Sequence, residues 1–406
     1  MRENISIEEA LARVLDRVSM TTGEEIIGIA DCCGRVLAED VAATVNVPPF
    51  NRSAMDGYAV RAEEIYGACR QQPVSLEVIS ELSAGDFEEI SYRYGTCVRV
   101  MTGAYVPDGY DAVVKQEDTD FGEDTVRIFK EVSSMENYSP MGEDIEKGDV
   151  ILKKGTLLSP LHMGMAASVG TSYLKVKRPL RTVIISTGSE LTEPGSALEK
   201  GKIYGSIAYM LSGAIKSRGL EVAGVLQCGD SGEEVVSLIN RWIDKVDIVI
   251  TTGAVSVGKK DFIPDALREL GAEKVFSGAD IQPGTPTMAS ILKGKPILSL
   301  SGNPYAAMAN FEIYFWDIAA KIMGCDDLKS KKAHATFLGS YGKINRRRRL
   351  IRAKEAEGRV WLPSDIHHSS VISNMTECNC FIDLEAGRRP VEGEDVRIIY
   401  IKGMQF

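Results

Sequence analysis

Apolar residues recur at helical spacing near the start of the chain: Ile7, Ala10, Leu11, Val14, Leu15 and Val18. Ser6 and Glu9 in front of this run have the form of a capping box, so an amphipathic helix is predicted there. From 26 to 45 the pattern shortens to strands, with a break at Gly34. Residues 47–58, VPPFNRSAMDGY, carry two adjacent prolines. A central strand excludes them, so this stretch reads as an ordered loop. Short β-type runs follow at 74–79, 96–101, 112–115 and 126–129, separated by glycine turns. Residues 161–168 form a short helix candidate.

The pattern then changes. Buried-strand runs at 181–186, 220–226, 246–251 and 296–300 alternate with helical runs at 203–218, 233–244, 261–270 and 304–323. Gly219 is placed to stop the first of these helices. Asn303 as N-cap and Pro304 as first helical residue define the start of the last. Strands alternating with helices predict a doubly wound parallel sheet. Beyond 330 the runs are short and β-like again, at 350–354, 359–362, 378–384 and 396–401, which predicts a small β-barrel or sandwich. The fold class is therefore multidomain, α/β and β.

Composition narrows the function. The chain has 406 residues, 44% hydrophobic and 26% charged, which is ordinary for a globular protein of two or three domains. No apolar run is long enough to span a membrane. The acidic, amphipathic N-terminus does not resemble an export signal, so a cytoplasmic location is expected. A net charge of −10 argues against a broad nucleic-acid surface. The eight cysteines form no CxxC pair, so zinc-ribbon and dithiol readings fail. Cys378 and Cys380 read as core packing, and His367-His368 lacks the neighbours of a zinc site.

Three loops follow predicted strands and lead into helices: 187–191, 253–261 and 301–304. Backbone N–H groups in such positions attract anions at the carboxyl edge of a parallel sheet. The candidate binding residues are Ser186, Thr187, Gly188, Gly253, Ser256, Gly258, Gly302, Asn303 and Pro304. Glu190, Asp230 and Asp261 bring acids to the same strand ends. There they suit either Mg²⁺ bridging to phosphate oxygens or the positioning of a reacting water. Turn geometry for the glycines, helix capping or a turn for Asp230 and Asp261, and a solvated charge for Glu190 explain each residue singly, and the pattern alone leaves both readings open. Asp56 and Thr102 are further candidates, with Lys115 and Arg52 as nearby cations. Residues 346–349, four consecutive arginines, could likewise supply positive charge to an anionic ligand, with a solvated strand edge favoured for at least half of them. Neither a GxGxxG fingerprint nor a Walker A sequence is present.

The segments PPFNRSAMDGYAVR, RVMTGAYVPDGYDAVVKQEDT, GEDIEKGDVI, ISTGSEL, TTGAVSVGKKDF, PGTP and SGNPYAAM occur in one order along the whole chain. In this the sequence resembles the MoeA family, the molybdopterin molybdenumtransferases, which include the gephyrin E domain. The resemblance implies an L-shaped subunit of four parts. A linker domain is formed by 1–46 and 145–178, a β-rich domain by 47–144, an α/β domain by 179–327 and a C-terminal β domain by 328–406. It also implies a homodimer with its site between subunits. The implied reaction is insertion of molybdate into adenylylated molybdopterin with release of AMP, in the presence of Mg²⁺.

On the family motifs, Asp56, Thr102, Glu190, Asp230 and Asp261 fall on the important polar positions. Glu190, Asp230 and Asp261 are the implied metal-binding acids. Molybdopterin adenylyltransferase and molybdoenzyme apoproteins are the implied partners. Several positions depart from the family pattern. Ser301 replaces Pro, Ala254 replaces Gly, Gln282 and Thr285 replace two lysines, and Gly205 and Ile207 replace an acid and an amide. The departures keep alternatives in view: a non-catalytic paralogue that binds a pterin, nucleotide or partner, a peptide scaffold, or tungstate in place of molybdate.

Overall fold

The computed structural model describes residues 5–20, 23–255, 262–364 and 368–401. Ser6 caps the first helix, Ile7–Leu15, by accepting a hydrogen bond from the Glu9 amide at 3.1 Å. Glu9 does not return the bond. It pairs with Arg13 one turn on instead, so only half of the predicted box forms. Val18 lies beyond the helix yet is buried.

The β-rich part is a five-stranded sheet built around Gly57–Val60, with Ala112–Lys115 on one side and Thr96–Val100 on the other. Its strand Cys69–Leu82 is much longer than the apolar run at 74–79 suggests. Most of its added residues are exposed or half-buried, so they carry no apolar signal.

The α/β part contains a six-stranded sheet. In spatial order its strands are Glu221–Cys228, Arg181–Thr187, Ile248–Thr252, Lys295–Leu300, Met288–Leu292 and Glu273–Ser277. The first four run parallel, and the last two pair antiparallel on one edge. Side chains alternate between two cores: Ile184 enters one, while Val183 and Ile185 enter the other. The first core takes the helices Ile207–Lys216 and Pro304–Met323, together with Ile7–Leu15. The second takes Gly232–Trp242 and Ile263–Glu269. Helices on both faces make the sheet doubly wound.

Helix Pro304–Met323 is apolar on nearly every side and correspondingly buried. It also packs against Leu350, Phe381 and Ile399 of the C-terminal part. There, Arg348–Ala356, Arg359–Trp361, Lys332–Leu338, Asp395–Tyr400 and Cys380–Leu384 pair in a ring. The ring closes between the first and last of these strands, which gives a small barrel.

One sequence expectation needs correction and two need refinement. The helix predicted from 203 begins at Ile207. Residues Ile203–Tyr204 are instead a short strand paired with Leu191–Thr192, and Ile203 is exposed. Asn303 is the N-cap of the long helix and Pro304 its first residue, as expected, although the Asn303 side chain makes no capping hydrogen bond. The arginine run is not a solvated edge throughout. Arg348 is tied to the buried carboxylate of Asp383, and Arg349 is itself buried. No disulfide links the eight cysteines, all of them described residues, and burial pushes the Cys378 thiol up to about 11.

Candidate functional site

Four parallel strands end side by side at Cys228, Thr187, Thr252 and Leu300. The chain leaves the strand Arg181–Thr187 toward one neighbour and later returns on its other side. That makes a topological switch point, where open α/β sheets form crevices. A cavity of about 430 Å³ lies there. Its lining includes Ser186, Thr187, Gly188, Glu190, Asp230, Gly253, Gly302, Asn303 and Pro304. The α/β candidates among the described residues are thus brought together. Ser256, Gly258 and Asp261 lie outside the described residues.

Close backbone approach builds the floor of this cavity. Thr187 donates its hydroxyl to the Thr252 carbonyl at 3.1 Å. Gly253 sits at φ 93°, where a Cβ would lie 2.5 Å from the Thr187 carbonyl oxygen. Only glycine fits. Ser189, which sequence reasoning passed over, anchors Asp230 through its amide at 3.3 Å and its hydroxyl at 2.9 Å. Ser301 accepts a hydrogen bond from the Asn303 amide at 3.2 Å, and so stiffens the turn that the Asn303 side chain does not cap. Among the described residues the lining holds two carboxylates and no lysine, arginine or histidine.

A second cavity of about 480 Å³ shares Pro286, Ser301 and Asn303 with the first. Its other walls include Gln282, Thr285, Lys343, Asn345, Arg349, His368 and Ser369. Gly284, at φ 90°, lets this loop close on helix Pro304–Met323, since a Cβ there would overlap the Asn310 amide. Arg349 is only 7% exposed, and its Nε has no hydrogen-bond partner. Among the described residues no carboxylate pairs with it. A buried guanidinium without a counter-charge is costly unless an anion joins it. Sequence reasoning named the arginine run as a source of positive charge but did not single out this residue, because charge alone does not reveal which member of a run turns inward.

Asp56 and Thr102 occupy a third cavity, with Met55, Lys115, Gln116, Glu117 and Asp118. They do not meet the other candidates. The Asp56 carboxylate accepts from both the hydroxyl and the amide of Thr102, each at 2.7 Å. These bonds favour the ionised form and hold its pKa below the usual carboxylate value. Arg52 lies apart from this cavity. Among the described residues no group of three or more His, Cys, Asp or Glu is arranged to hold a metal, and no helix is long and apolar enough to cross a membrane.

Residues 5–170 match the family model described as the MoeA N-terminal region, domains I and II. Residues 183–320 match that of a probable molybdopterin binding domain. A molybdopterin molybdenumtransferase from Staphylococcus epidermidis is 33% identical over 100% of this chain and 97% of its own. One from Staphylococcus aureus is 34% identical over 98% and 96%. Among solved structures, a molybdopterin biosynthesis MoeA protein from Pyrococcus horikoshii superposes with a TM-score of 0.85 at 30% identity, covering 99% of this chain and 100% of that one.

Proposed function

The chain belongs to the MoeA family of molybdopterin molybdenumtransferases, and on that premise we propose that it inserts molybdate into adenylylated molybdopterin and releases AMP. The carrying observation is the pair of cavities with a common wall. The first has the size of a small-molecule site. Its N–H groups and hydroxyls suit the phosphates of the adenylylated pterin. The second offers Arg349 and Lys343 to a tetrahedral dianion. Attack of water at phosphorus cleaves the phosphoanhydride bond, frees AMP, leaves the terminal phosphate on the pterin and releases a proton, while molybdate sheds oxide as water when the two substrate thiols bind it. The sulfurs that receive the metal belong to the substrate, so no protein cysteine is required.

Gln282 and Thr285 stand where the family usually has lysines, and both line the second cavity. The C-terminal barrel brings Lys343 and Arg349 to that same space. Positive charge is thereby supplied from another part of the chain, which favours the catalytic reading over that of a non-catalytic paralogue.

The resemblance implies Mg²⁺, and the donor set fits it. Mg²⁺ takes one or two protein carboxylates and fills its remaining positions with phosphate oxygens and water. Glu190 and Asp230 would hold it on the first cavity. When bound, it would neutralise charge on the diphosphate.

A homodimer is part of the proposal. Helix Pro160–Ser168 leaves Leu161 and Met165 exposed, and a second copy would cover such apolar surface. A second copy would also bring Asp56 and Thr102 to the α/β cavities. An adenylyltransferase would supply the substrate, and molybdoenzyme apoproteins would accept the product.

The test is AMP release from adenylylated molybdopterin with Mg²⁺ and molybdate, followed by the molybdenum content of the pterin. Molybdate-dependent AMP with metal in the product is expected. No AMP with both supplied overturns the reading, and a parallel series with tungstate identifies the preferred oxyanion.

A further inference from the structure

Arg352 and Tyr305 are 1% and 0% exposed. The Arg352 guanidinium lies 4.1 Å from the centroid of the Tyr305 ring. Other cation–ring pairs among the described residues are 5.6 to 5.9 Å apart. The Tyr305 hydroxyl donates to the Leu350 carbonyl and accepts from the Arg352 amide at 3.2 Å. The two residues are thus locked to each other, with the ring on the long helix and the arginine on the barrel.

Neither residue lines either of the two cavities that share Ser301 and Asn303. Both reach the loop that does. Arg352 donates through Nη1 to the Val371 carbonyl and through Nη2 to that of His368 at 3.4 Å. The Tyr305 amide donates to the Ser369 carbonyl at 3.2 Å. Three carbonyls of residues 368–371 are therefore drawn onto groups outside the cavity. There they do not repel an anion on Arg349, while His368 and Ser369 still face that space. Burial lowers the pKa of Arg352. The aromatic face and the carbonyl dipoles offset this cost.

We propose that Arg352, seated on the Tyr305 ring, is a positioning residue that sets the His368–Ser369 segment for oxyanion binding beside Arg349. This rests on the oxyanion reading of the second cavity. Lysine would not substitute, because it lacks the planar fork that serves two carbonyls and a ring face at once.

The experiment titrates molybdate against AMP release for Arg352→Met, Arg352→Lys, Tyr305→Leu, Tyr305→Phe and Arg349→Met, with thermal midpoints and amide exchange at 368–371. Arg352→Met, Arg352→Lys and Tyr305→Leu are expected to raise half-saturating molybdate about tenfold. They should keep the rate at saturation and speed exchange at 368–371. Tyr305→Phe retains the ring face and should stay near the parent protein. A folded Arg352→Met with unchanged half-saturation, or with a lowered rate at all molybdate concentrations, overturns the proposal. If that variant does not fold, equal half-saturation in Tyr305→Leu and Tyr305→Phe overturns it instead. A raised value in Arg349→Met beside an unchanged one in Arg352→Met sinks the clamp alone. An unchanged value in Arg349→Met sinks the oxyanion reading, and the clamp with it.

Discussion

The two cavities that share Ser301 and Asn303 present opposite chemistry. The first is lined by glycines, hydroxyls and two carboxylates, without a cation among its described residues. The second carries a buried arginine and a lysine. A phosphate chain has many oxygens, and it can be met by oriented N–H groups and a shared metal ion. A compact dianion has few contacts, so a fixed full charge serves it better. The wall between them is one short turn, and substrate parts bound on either side would lie next to each other.

The carboxylates of the first cavity offer the strongest way to break this contrast. Glu190→Gln removes a charge that the Mg²⁺ reading requires. AMP release should fall at least about a hundredfold, and half-saturating Mg²⁺ should rise. An unchanged Mg²⁺ dependence would leave both cavities reliant on protein donors alone. Next in size, Arg349→Met removes a charge-assisted contact worth about 1.5 to 3 kcal/mol, so half-saturating molybdate should rise roughly tenfold to a hundredfold. Its Mg²⁺ dependence should not move. A shift in both titrations would mean that the cavities act as one site rather than two.

Much of the first cavity was legible in the sequence, and little of the second. Strand, glycine and helix follow each other in order at Leu300–Pro304, and a strand runs straight into glycine at Thr187–Gly188, so local pattern marks a sheet edge. The second cavity joins residues near 284, 303, 349 and 368, which no local pattern connects. Arg349 turns inward because the barrel strand Arg348–Ala356 packs on the long helix, and four arginines in a row disguise that. Lys332–Leu338 escaped notice for a similar reason: only Ala335 and Phe337 in it are buried. Ile203 misled in the other direction, since an apolar residue at helical spacing proved to be exposed cavity lining.

A third site sharpens the comparison through pH. Thr102 holds the Asp56 pKa below its ordinary value, mainly through the side-chain hydrogen bond. A depressed carboxylate remains ionised until the pH falls through its folded-state pKa, and is then lost. Thr102→Val removes the stronger bond, so the Asp56 pKa should rise. If ionised Asp56 takes part in turnover, the acid limb of the pH–rate profile moves to higher pH in this variant, while neutral pH is little affected. An acid limb that stays in place would remove Asp56 from the reacting set.

The smallest effect concerns the floor of the first cavity, where Gly253 and Ala254 both adopt positive φ, at 93° and 48°. Gly253 is obligatory because of the Thr187 carbonyl. Ala254 is not, and its methyl packs against the second core of the α/β sheet. Left-handed alanine costs about 1 to 2 kcal/mol, whereas glycine in the unfolded chain forfeits about 0.4 to 1 kcal/mol. Ala254→Gly should therefore stabilise the protein by about 0.5 kcal/mol, less whatever the methyl contact contributes. Denaturant unfolding measures this directly. A loss of stability would show that packing outweighs backbone strain at this turn. Weaker substrate binding without a stability change would instead mean that the methyl shapes the cavity, making a strained alanine part of how the phosphate side is held in form.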